Sequence, residues 1–414
     1  CGSMVRIEKM LRYSKGVRKD TMDHPHTRRS PSADRLQSID VLRGLIMVLM
    51  ALDHVSLMVG RFHSQEMWAG AWTRYSSTVA FVTRFVSHFC APGFFFLMGV
   101  GLSLLADSRA KQGWSQGRIS RQVLVRGLLL IGVATVLEVP AFLTAILSGP
   151  SEVGSSPDFA IPGMTQPRWV LTVLFALGVS MAASAMFIRF RSAVWAVLAA
   201  VALLATALTT PGPEDFATPY NFWRTVLMVS RWSHGVWAQY PVIPWFGIAA
   251  LGVLFGRWIA ADRRSAFGSL PWLGLGALAA ALALRAYGGF GNLRLPRDGS
   301  WIEFLNFIKY PPALVFTLFM LGGNLLAWAA IERTRLWTNR AGGILRVFGQ
   351  APLAYYIAHL WLFAIVGAIG FRHGTGYATV YAVWITGLLP LYWFTRWYRD
   401  FKMATPAESL WRFF

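Results

Sequence analysis

The chain has 414 residues, of which 55% are hydrophobic and only 14% are charged. Soluble globular proteins carry about 25% charged residues, so this composition excludes an ordinary soluble domain. The net charge of +20 does not indicate a nucleic-acid partner, because Lys and Arg concentrate between apolar runs, where the positive-inside rule places them. These apolar runs are about 20 residues long and recur along the chain, which predicts an all-α polytopic integral membrane protein. Short alternating strands, the pattern of a membrane barrel, are not seen.

The chain begins with a basic stretch, residues 1–34, which is predicted to be a cytoplasmic tail. Its first three residues, Cys1-Gly2-Ser3, are interpreted as a cloning remnant, and the two cysteines of the chain give no disulfide framework. A single transmembrane domain of ten spans is predicted over 35–400, followed by a cytoplasmic tail over 401–414. Both termini are placed inside because every loop assigned to that side is basic. The predicted spans are 36–59, 88–106, 123–148, 169–188, 193–210, 241–259, 267–287, 310–330, 346–370 and 377–395.

Two further segments are predicted to lie at the membrane surface. Residues 74–87 are expected to form an interfacial helix. Residues 211–240 are rich in aromatic side chains but are interrupted by Arg224, Arg231 and His234. We therefore expect an interfacial or re-entrant segment there, with Trp and Tyr at headgroup depth.

The first span is unusual because it carries four ionisable residues, Asp40, Arg43, Asp53 and His54. Such residues cost roughly 2.5–3.5 kcal/mol each on insertion scales, and they are functional candidates by default. On a helix, Arg43 and His54 point the same way about 16 Å apart, and Asp40 lies one turn before Arg43, with which it can pair. Asp53 points about 100° away from His54, so it is not expected to orient that imidazole while the helix continues.

Histidines recur in the predicted outer half of the protein, and imidazole is the usual general base near neutral pH. Arg84 and His88 are one turn apart, and His88 is expected to approach His54 across the loop between spans 1 and 2. For His234 and His359, simple hydrogen-bonded packing is an equal alternative. No pair has the spacing of a zinc motif, so no metal site is predicted. The histidines outside the basic tail are His54, His63, His88, His234, His359 and His373.

Arg118, Arg121 and Arg126 form a basic cluster after the second span. One interpretation is topology alone, since positive residues mark a cytoplasmic loop. The other is a site for a cytoplasmic ligand that carries phosphates, because guanidinium groups bind phosphate through two parallel hydrogen bonds. Both interpretations are kept.

Several phrases of the sequence resemble a known family. Arg43, ten residues and then His54 is similar to the signature of the acyltransferase-3 family of membrane acyltransferases. The longer phrase SIDVLRG with Asp53-His54 looks more like the bacterial relatives of heparan-α-glucosaminide N-acetyltransferase, and so do three other segments. They are RFVSHFCAPGFFFLMGVG at 84–101, YPVIPWFGIAALG at 240–252 and FGQAPLAYYIAHL at 348–360. The similarity covers nearly all the predicted spans.

The resemblance implies that an acetyl or other short acyl group passes from cytoplasmic acyl-CoA, with acetyl-CoA as donor, to a sugar or glycolipid on the outer side. The implied partners are acyl-CoA, that acceptor and the lipid bilayer of a bacterial inner membrane; a homodimer is left open. His54 would be the catalytic histidine and Arg43 its signature partner. The lysosomal enzyme has its catalytic histidine in the loop after span 1, so His63 competes with His54. Asp53 is kept with the catalytic candidates.

The remaining candidates follow from the same resemblance and from position. Arg118 and Arg121, with Arg126, would hold the CoA phosphates. The residues expected to bind or orient the acceptor are His88, Arg84, His359, Tyr356 and His234. The main rival function is a proton-coupled transporter or flippase, which would also use buried ionisable residues, although the chain shows no inverted repeat. A sensory or structural membrane protein would leave these buried charges unexplained.

Overall fold

The computed structural model describes residues 36–62, 66–69, 74–149, 169–212, 215, 220–406, 409 and 411. The predicted tail 1–34 therefore lies outside the described residues. Fifteen α-helices are described, with one π-helix, one short 3₁₀ helix and three short strands between them. The α-helices are α1 Gln37–Met58, α2 Thr78–Ser87, α3 Cys90–Lys111, α4 Gln116–Val133, α5 Val139–Leu147, α6 Val173–Phe187, α7 Ser192–Thr209, α8 Phe222–Leu227, α9 Val242–Ala261, α10 Arg263–Tyr287, α11 Trp301–Leu305, α12 Leu314–Thr334, α13 Arg340–Gln350, α14 Pro352–Gly370 and α15 Tyr377–Ala404.

Nine helical segments in the described chain are long and apolar enough to cross a membrane. They confirm an all-α polytopic integral membrane protein. The fourth predicted span, 169–188, forms only the 15-residue helix α6, which at 1.5 Å per residue is about 22 Å long against a hydrocarbon core of about 30 Å. The predicted interfacial helix, 74–87, also differs from the structure. Helix α2 is followed almost directly by α3, and together they form one apolar segment, Thr78–Lys111, of 34 residues that is long enough to cross a membrane.

Helix α1 lies among the other helices and contacts α3, α13, α14 and α15. Apolar side chains occur all round α1, as expected for a buried helix rather than one with a single apolar stripe. Its contact with α13 is backbone against backbone. A Cβ atom on Gly44 would lie 1.8 Å from the Leu345 carbonyl oxygen, and one on Gly349 would lie 1.8 Å from the Asp40 carbonyl oxygen. Only glycine permits this approach, which holds the N-terminal half of α1 against α13.

Three short strands form a small sheet that the sequence analysis did not predict. Strand β3, Val236–Ala238, pairs in parallel with β1, Trp169–Leu171, and antiparallel with β2, Arg231–Ser233. The β2–β3 turn consists of His234 and Gly235, whose φ angles are +50° and +80°. Positive φ at both positions is the requirement of a tight hairpin turn. No candidate span includes the described residues of 211–240, and two parts of this predicted interfacial or re-entrant segment pair as strands.

Candidate active site

His54 on α1 and His359 on α14 form a hydrogen-bonded pair of imidazoles. The Nδ1 atom of His54 is 2.7 Å from the Nε2 atom of His359, and the two rings are nearly parallel, at 15°, with centroids 4.9 Å apart. The Nδ1 atom of His359 is 3.0 Å from the Tyr355 carbonyl oxygen, one turn earlier on the same helix. Because a carbonyl oxygen only accepts, His359 donates from Nδ1 and accepts at Nε2, and His54 donates from Nδ1. The lone pair of neutral His54 is therefore on Nε2.

Aromatic rings and one carboxyl group surround this imidazole pair. The rings of Phe142 and Tyr356 meet the His54 ring edge-on, at centroid distances of 5.5 and 6.1 Å. The Tyr356 hydroxyl donates to the carboxylate of Glu138, which also accepts from the Thr172 hydroxyl. His54 is 7% exposed, and Glu138 and His359 are 0% exposed. His54 therefore lies in a closed, largely apolar chamber with Glu138 one side chain away.

Glu138 is a residue that the sequence analysis missed. It ends the π-helix Ala134–Glu138, and Phe142 follows one turn later on α5. A π-helical turn inside a longer helix is rare and is frequently found at functional sites. A single carboxylate in an apolar segment is the available sequence signal, because intramembrane ionisable residues are functional candidates by default.

Asp53 faces a different group of side chains from its neighbour His54. Its Oδ1 atom is 2.6 Å from Arg84 Nη1 and accepts a 2.6 Å hydrogen bond from the Ser87 hydroxyl. Arg84 also contacts both carboxylate oxygens of Glu66, with Nη2 to Oε2 at 2.7 Å and Nε to Oε1 at 3.1 Å. Arg84 thus joins α1, α2 and the loop that carries Glu66. We call Asp53, Glu66 and Arg84 the arginine clasp.

The clasp determines the protonation of Glu66. Burial of this carboxyl alone would raise its pKa, but the charges of Arg84 and His88 and their hydrogen bonds outweigh burial and hold the pKa well below its usual value of 4.5. The sequence analysis missed Glu66 because it lies in a loop, where a carboxylate is ordinarily a solvated surface group.

Acid should therefore weaken the fold through Glu66. Its pKa is depressed in the folded state, so its contribution to stability is present above about pH 4.5 and is lost as the pH falls through the folded-state value. We expect Glu66→Gln to lower the melting temperature at pH 7 and to flatten the decline of stability below pH 4.5. Thermal unfolding of the detergent-purified protein between pH 7 and 3 tests this expectation. Asp107→Asn, which breaks an exposed pair with Lys111, is the control and should leave the acid limb unchanged; an acid limb of equal steepness in Glu66→Gln contradicts the assignment.

An open cleft of about 280 Å³ lies beside the clasp. Asp53 and Arg84 line it together with hydroxyl groups and aromatic rings, and the Phe62 and Tyr377 rings lie 4.3 Å apart across the end of α1. The volume is near the lower end of small-molecule pockets, about 300 Å³. The other lining residues are Ser56, Phe62, Arg74, Tyr75, Ser76, Ala80, Thr83 and Tyr377.

His88 lies behind the clasp and does not pair with His54. It is 1% exposed, its Nε2 atom is 3.3 Å from Glu66 Oε2, and its ring meets that of Phe316 edge-on. The expected approach of His88 to His54 is therefore not seen; His359, 305 positions along the chain, has that place instead.

Arg43 braces two helices at the other end of α1. Its Nη1 atom is 3.5 Å from Asp40 Oδ1 and donates a 3.1 Å hydrogen bond to the Gly349 carbonyl oxygen at the end of α13. The predicted pairing with Asp40 is present. Arg43 thus supports the close α1–α13 packing at Gly349.

The arginines predicted to hold phosphates lie on α4. Arg118 and Arg121 are exposed, whereas Arg126 is half-buried. The guanidinium of Arg118 lies 3.7 Å from the centre of the Trp114 ring, and that of Arg109 lies 4.5 Å from it. We call Arg109, Trp114 and Arg118 the basic stack. Arg118 is exposed and Arg109 is half-buried, so one exposed guanidinium group on this ring can receive a phosphate-bearing ligand, and the predicted role stays a prediction.

One candidate, His234, is not brought to this site. His234 is exposed in the β2–β3 turn, where its Nδ1 atom is 2.8 Å from the Ser233 hydroxyl. His63, the rival to His54, lies outside the described residues. Within the described ranges, no three His, Cys, Asp or Glu side chains are grouped as a metal site would require.

Comparison with known families gives a match over the N-terminal part of the described helices. A family model described as heparan-alpha-glucosaminide N-acetyltransferase, catalytic, matches residues 35–287, more than half of the chain. No curated protein gives a significant match. The matched region contains Asp53, His54, Arg84 and Glu138, and it ends before α14, which carries His359.

Proposed function

The chain belongs to the family of heparan-α-glucosaminide N-acetyltransferase catalytic domains, and from this premise we propose that it transfers an acetyl group across the membrane. The donor is cytoplasmic acetyl-CoA, and the acceptor is the amine or hydroxyl of a sugar or glycolipid on the outer side of a bacterial inner membrane. The family match supports the acetyl transfer. The donor, the acceptor and the residue roles are proposals from the site.

The observation that carries the proposal is the state of His54. Its Nδ1 donates to His359, so the lone pair that a general base needs is on Nε2. Aromatic rings nearly enclose the imidazole. Each ionisable residue in a membrane-spanning helix costs about 2.5–3.5 kcal/mol on insertion scales. A histidine needed only for packing would not require this orientation.

In the proposed step, the acceptor nitrogen or oxygen attacks the thioester carbonyl carbon. His54 Nε2 takes the proton from the attacking atom as the new C–N or C–O bond forms. The tetrahedral intermediate then collapses, the C–S bond breaks, and the leaving sulfur takes the proton back from His54. The products are the acetylated acceptor and CoA with a free thiol, so atoms and charge balance, and His54 returns to its neutral form.

The remaining residues are assigned to binding. The acceptor enters through the cleft beside the arginine clasp, where hydroxyl groups, charged groups and aromatic faces line one small pocket. The phosphates of acetyl-CoA bind at the basic stack and Arg121. Gln122, one turn after Arg118, supports this placement, because its buried Oε1 atom has no hydrogen-bond partner among the residues that the structure describes. Arg43 holds the helix that carries His54.

The direct test uses the detergent-purified protein with acetyl-CoA, CoA and ATP as a nucleotide control. We expect saturable binding of acetyl-CoA and CoA by calorimetry, with thermal stabilisation that grows with ligand concentration. We also expect an acetylated product when an amino sugar or glycolipid acceptor is added. No binding at millimolar acetyl-CoA overturns the proposal and favours the transporter alternative, for which uptake of the sugar into proteoliposomes is the assay.

The phosphate contacts give a separate prediction. Arg118→Ala with Arg121→Ala should weaken acetyl-CoA binding by about 10–100-fold, because charge-assisted hydrogen bonds contribute about 1.5–3 kcal/mol. Titration calorimetry at two salt concentrations measures the effect and its salt dependence. Arg263→Ala with Arg264→Ala is the matched control, an exposed basic pair at the start of α10. Equal affinity in the two double variants would show that Arg118 and Arg121 serve topology only.

A further inference from the structure

We infer that His359 is a positioning residue that holds His54 in the tautomer with its base on Nε2, rather than a group that binds the acceptor. The inference rests on the proposed function, because it assigns a role within the same proton transfer. It concerns a residue on α14, outside the region that the family model matches.

The geometry excludes direct contact between His359 and a substrate in this arrangement. Both of its nitrogens are engaged, Nε2 with His54 and Nδ1 with the Tyr355 carbonyl oxygen. The ring is fully buried, stacked on Tyr355 at a centroid distance of 5.2 Å and met edge-on by Phe363 at 6.3 Å. The acceptor can reach neither nitrogen without breaking one of these bonds.

A backbone carbonyl determines which atom donates and which accepts in the two hydrogen bonds of His359. The Tyr355 carbonyl can only accept, so the proton of His359 stays on Nδ1 and its Nε2 stays an acceptor. That acceptor keeps the His54 proton on Nδ1. When His54 Nε2 takes a proton during the reaction, the resulting imidazolium donates a stronger, charge-assisted hydrogen bond to His359. His359 therefore favours the protonated state of His54 in the transition state, as the third group of a catalytic triad does.

In the described part of the chain, ionisable groups from two elements lie next to this pair. From α14 they are Tyr355 and Tyr356, and from the π-helix the carboxylate of Glu138 reaches Tyr356 rather than either imidazole. A change in the pH profile that follows substitution of His359 is therefore attributed to the imidazole pair.

Two amide substitutions separate positioning from packing. In His359→Gln, the side-chain oxygen can occupy the place of Nε2 and accept from His54. In His359→Asn, the amide reaches only the place of Nδ1, so the bond to Tyr355 can be kept while the acceptor for His54 is removed. We expect His359→Asn to lower kcat about 100-fold, the upper range for groups that orient a primary ligand or base. We expect His359→Gln to keep at least about a tenth of the wild-type kcat.

The measurements are kcat and KM for both substrates, and kcat against pH, with thermal unfolding and acetyl-CoA binding as folding checks. The inference predicts unchanged KM for acetyl-CoA, a changed acidic limb of the kcat profile in His359→Asn, and rescue by Gln. Equal losses in the two variants, or wild-type kcat in His359→Asn, overturn it. Failure of the proposed function is distinct: the wild-type protein then transfers no acetyl group, or His54→Asn does not affect transfer.

Discussion

Replacement of His54 by asparagine should abolish measurable acetyl transfer. The asparagine amide can still donate to His359 Nε2 from the place of Nδ1, but nothing replaces the lone pair of Nε2. General-base catalysis contributes about 10²–10⁴ in rate, so we expect kcat to fall by at least about 10². Binding of acetyl-CoA should stay within about twofold, because the basic stack lies on other helices. Steady-state transfer and calorimetric titration of the same preparation test both statements.

His373→Asn is the matched control for this experiment. His373 is exposed in the loop between α14 and α15, so its substitution should leave kcat unchanged. Normal turnover in His54→Asn contradicts the general-base assignment. If His63→Asn loses activity in that case, the base is the histidine of the loop after α1 and the imidazole pair is structural.

Replacement of Arg285 by alanine should cause a large loss of stability. Arg285, at the end of α10, is 1% exposed and holds the loop that follows. Its guanidinium donates to four backbone carbonyls and one side-chain oxygen: Phe304 at 2.8 Å, Glu303 at 2.8 Å, Arg294 at 2.9 Å, Asn306 at 3.1 Å and Asn292 Oδ1 at 2.9 Å. Each buried acceptor left unpaired costs about 1–3 kcal/mol. We expect a total loss of at least about 3 kcal/mol and a fall in Tm of at least about 3–4 °C.

Thermal unfolding in detergent measures this loss, with two variants for comparison. Arg285→Lys keeps the charge but not the planar set of donors, so it should recover only part of the stability. Arg372→Ala removes an exposed arginine in the turn after α14 that donates to the Ala368 carbonyl, and it should change Tm by no more than about 2 °C. A similar Tm for the wild-type protein and Arg285→Ala contradicts the role of Arg285 in holding the 288–306 loop.

The positions of the spans could be predicted because the membrane makes hydrophobicity a local requirement. A segment of about 20 apolar residues must be helical in the hydrocarbon core, whatever its neighbours are. The three-stranded sheet could not be predicted in this way. Strand β1 is separated from β3 by more than sixty residues, and strands of three residues are too short to show an alternating pattern.

The sequence by itself identified α1 as the candidate functional helix. Four ionisable residues in one span are costly, and this cost is independent of where the other helices lie. It also determined the pairing of Arg43 with Asp40, because residues three positions apart on a helix are neighbours. The separation of Asp53 from His54 follows from the same helical geometry, and the two side chains do face different partners.

The tertiary structure decided which groups these residues meet. The partner of His54 is 305 positions away, that of Arg84 is a loop carboxylate, and Glu138 approaches the chamber through Tyr356 on another helix. A hydrogen bond requires about 3 Å between two atoms, and this proximity arises from the packing of helices whose order along the chain does not reveal their neighbours. Composition and periodicity therefore identify the costly residues, whereas packing alone determines which nitrogen of His54 carries the lone pair.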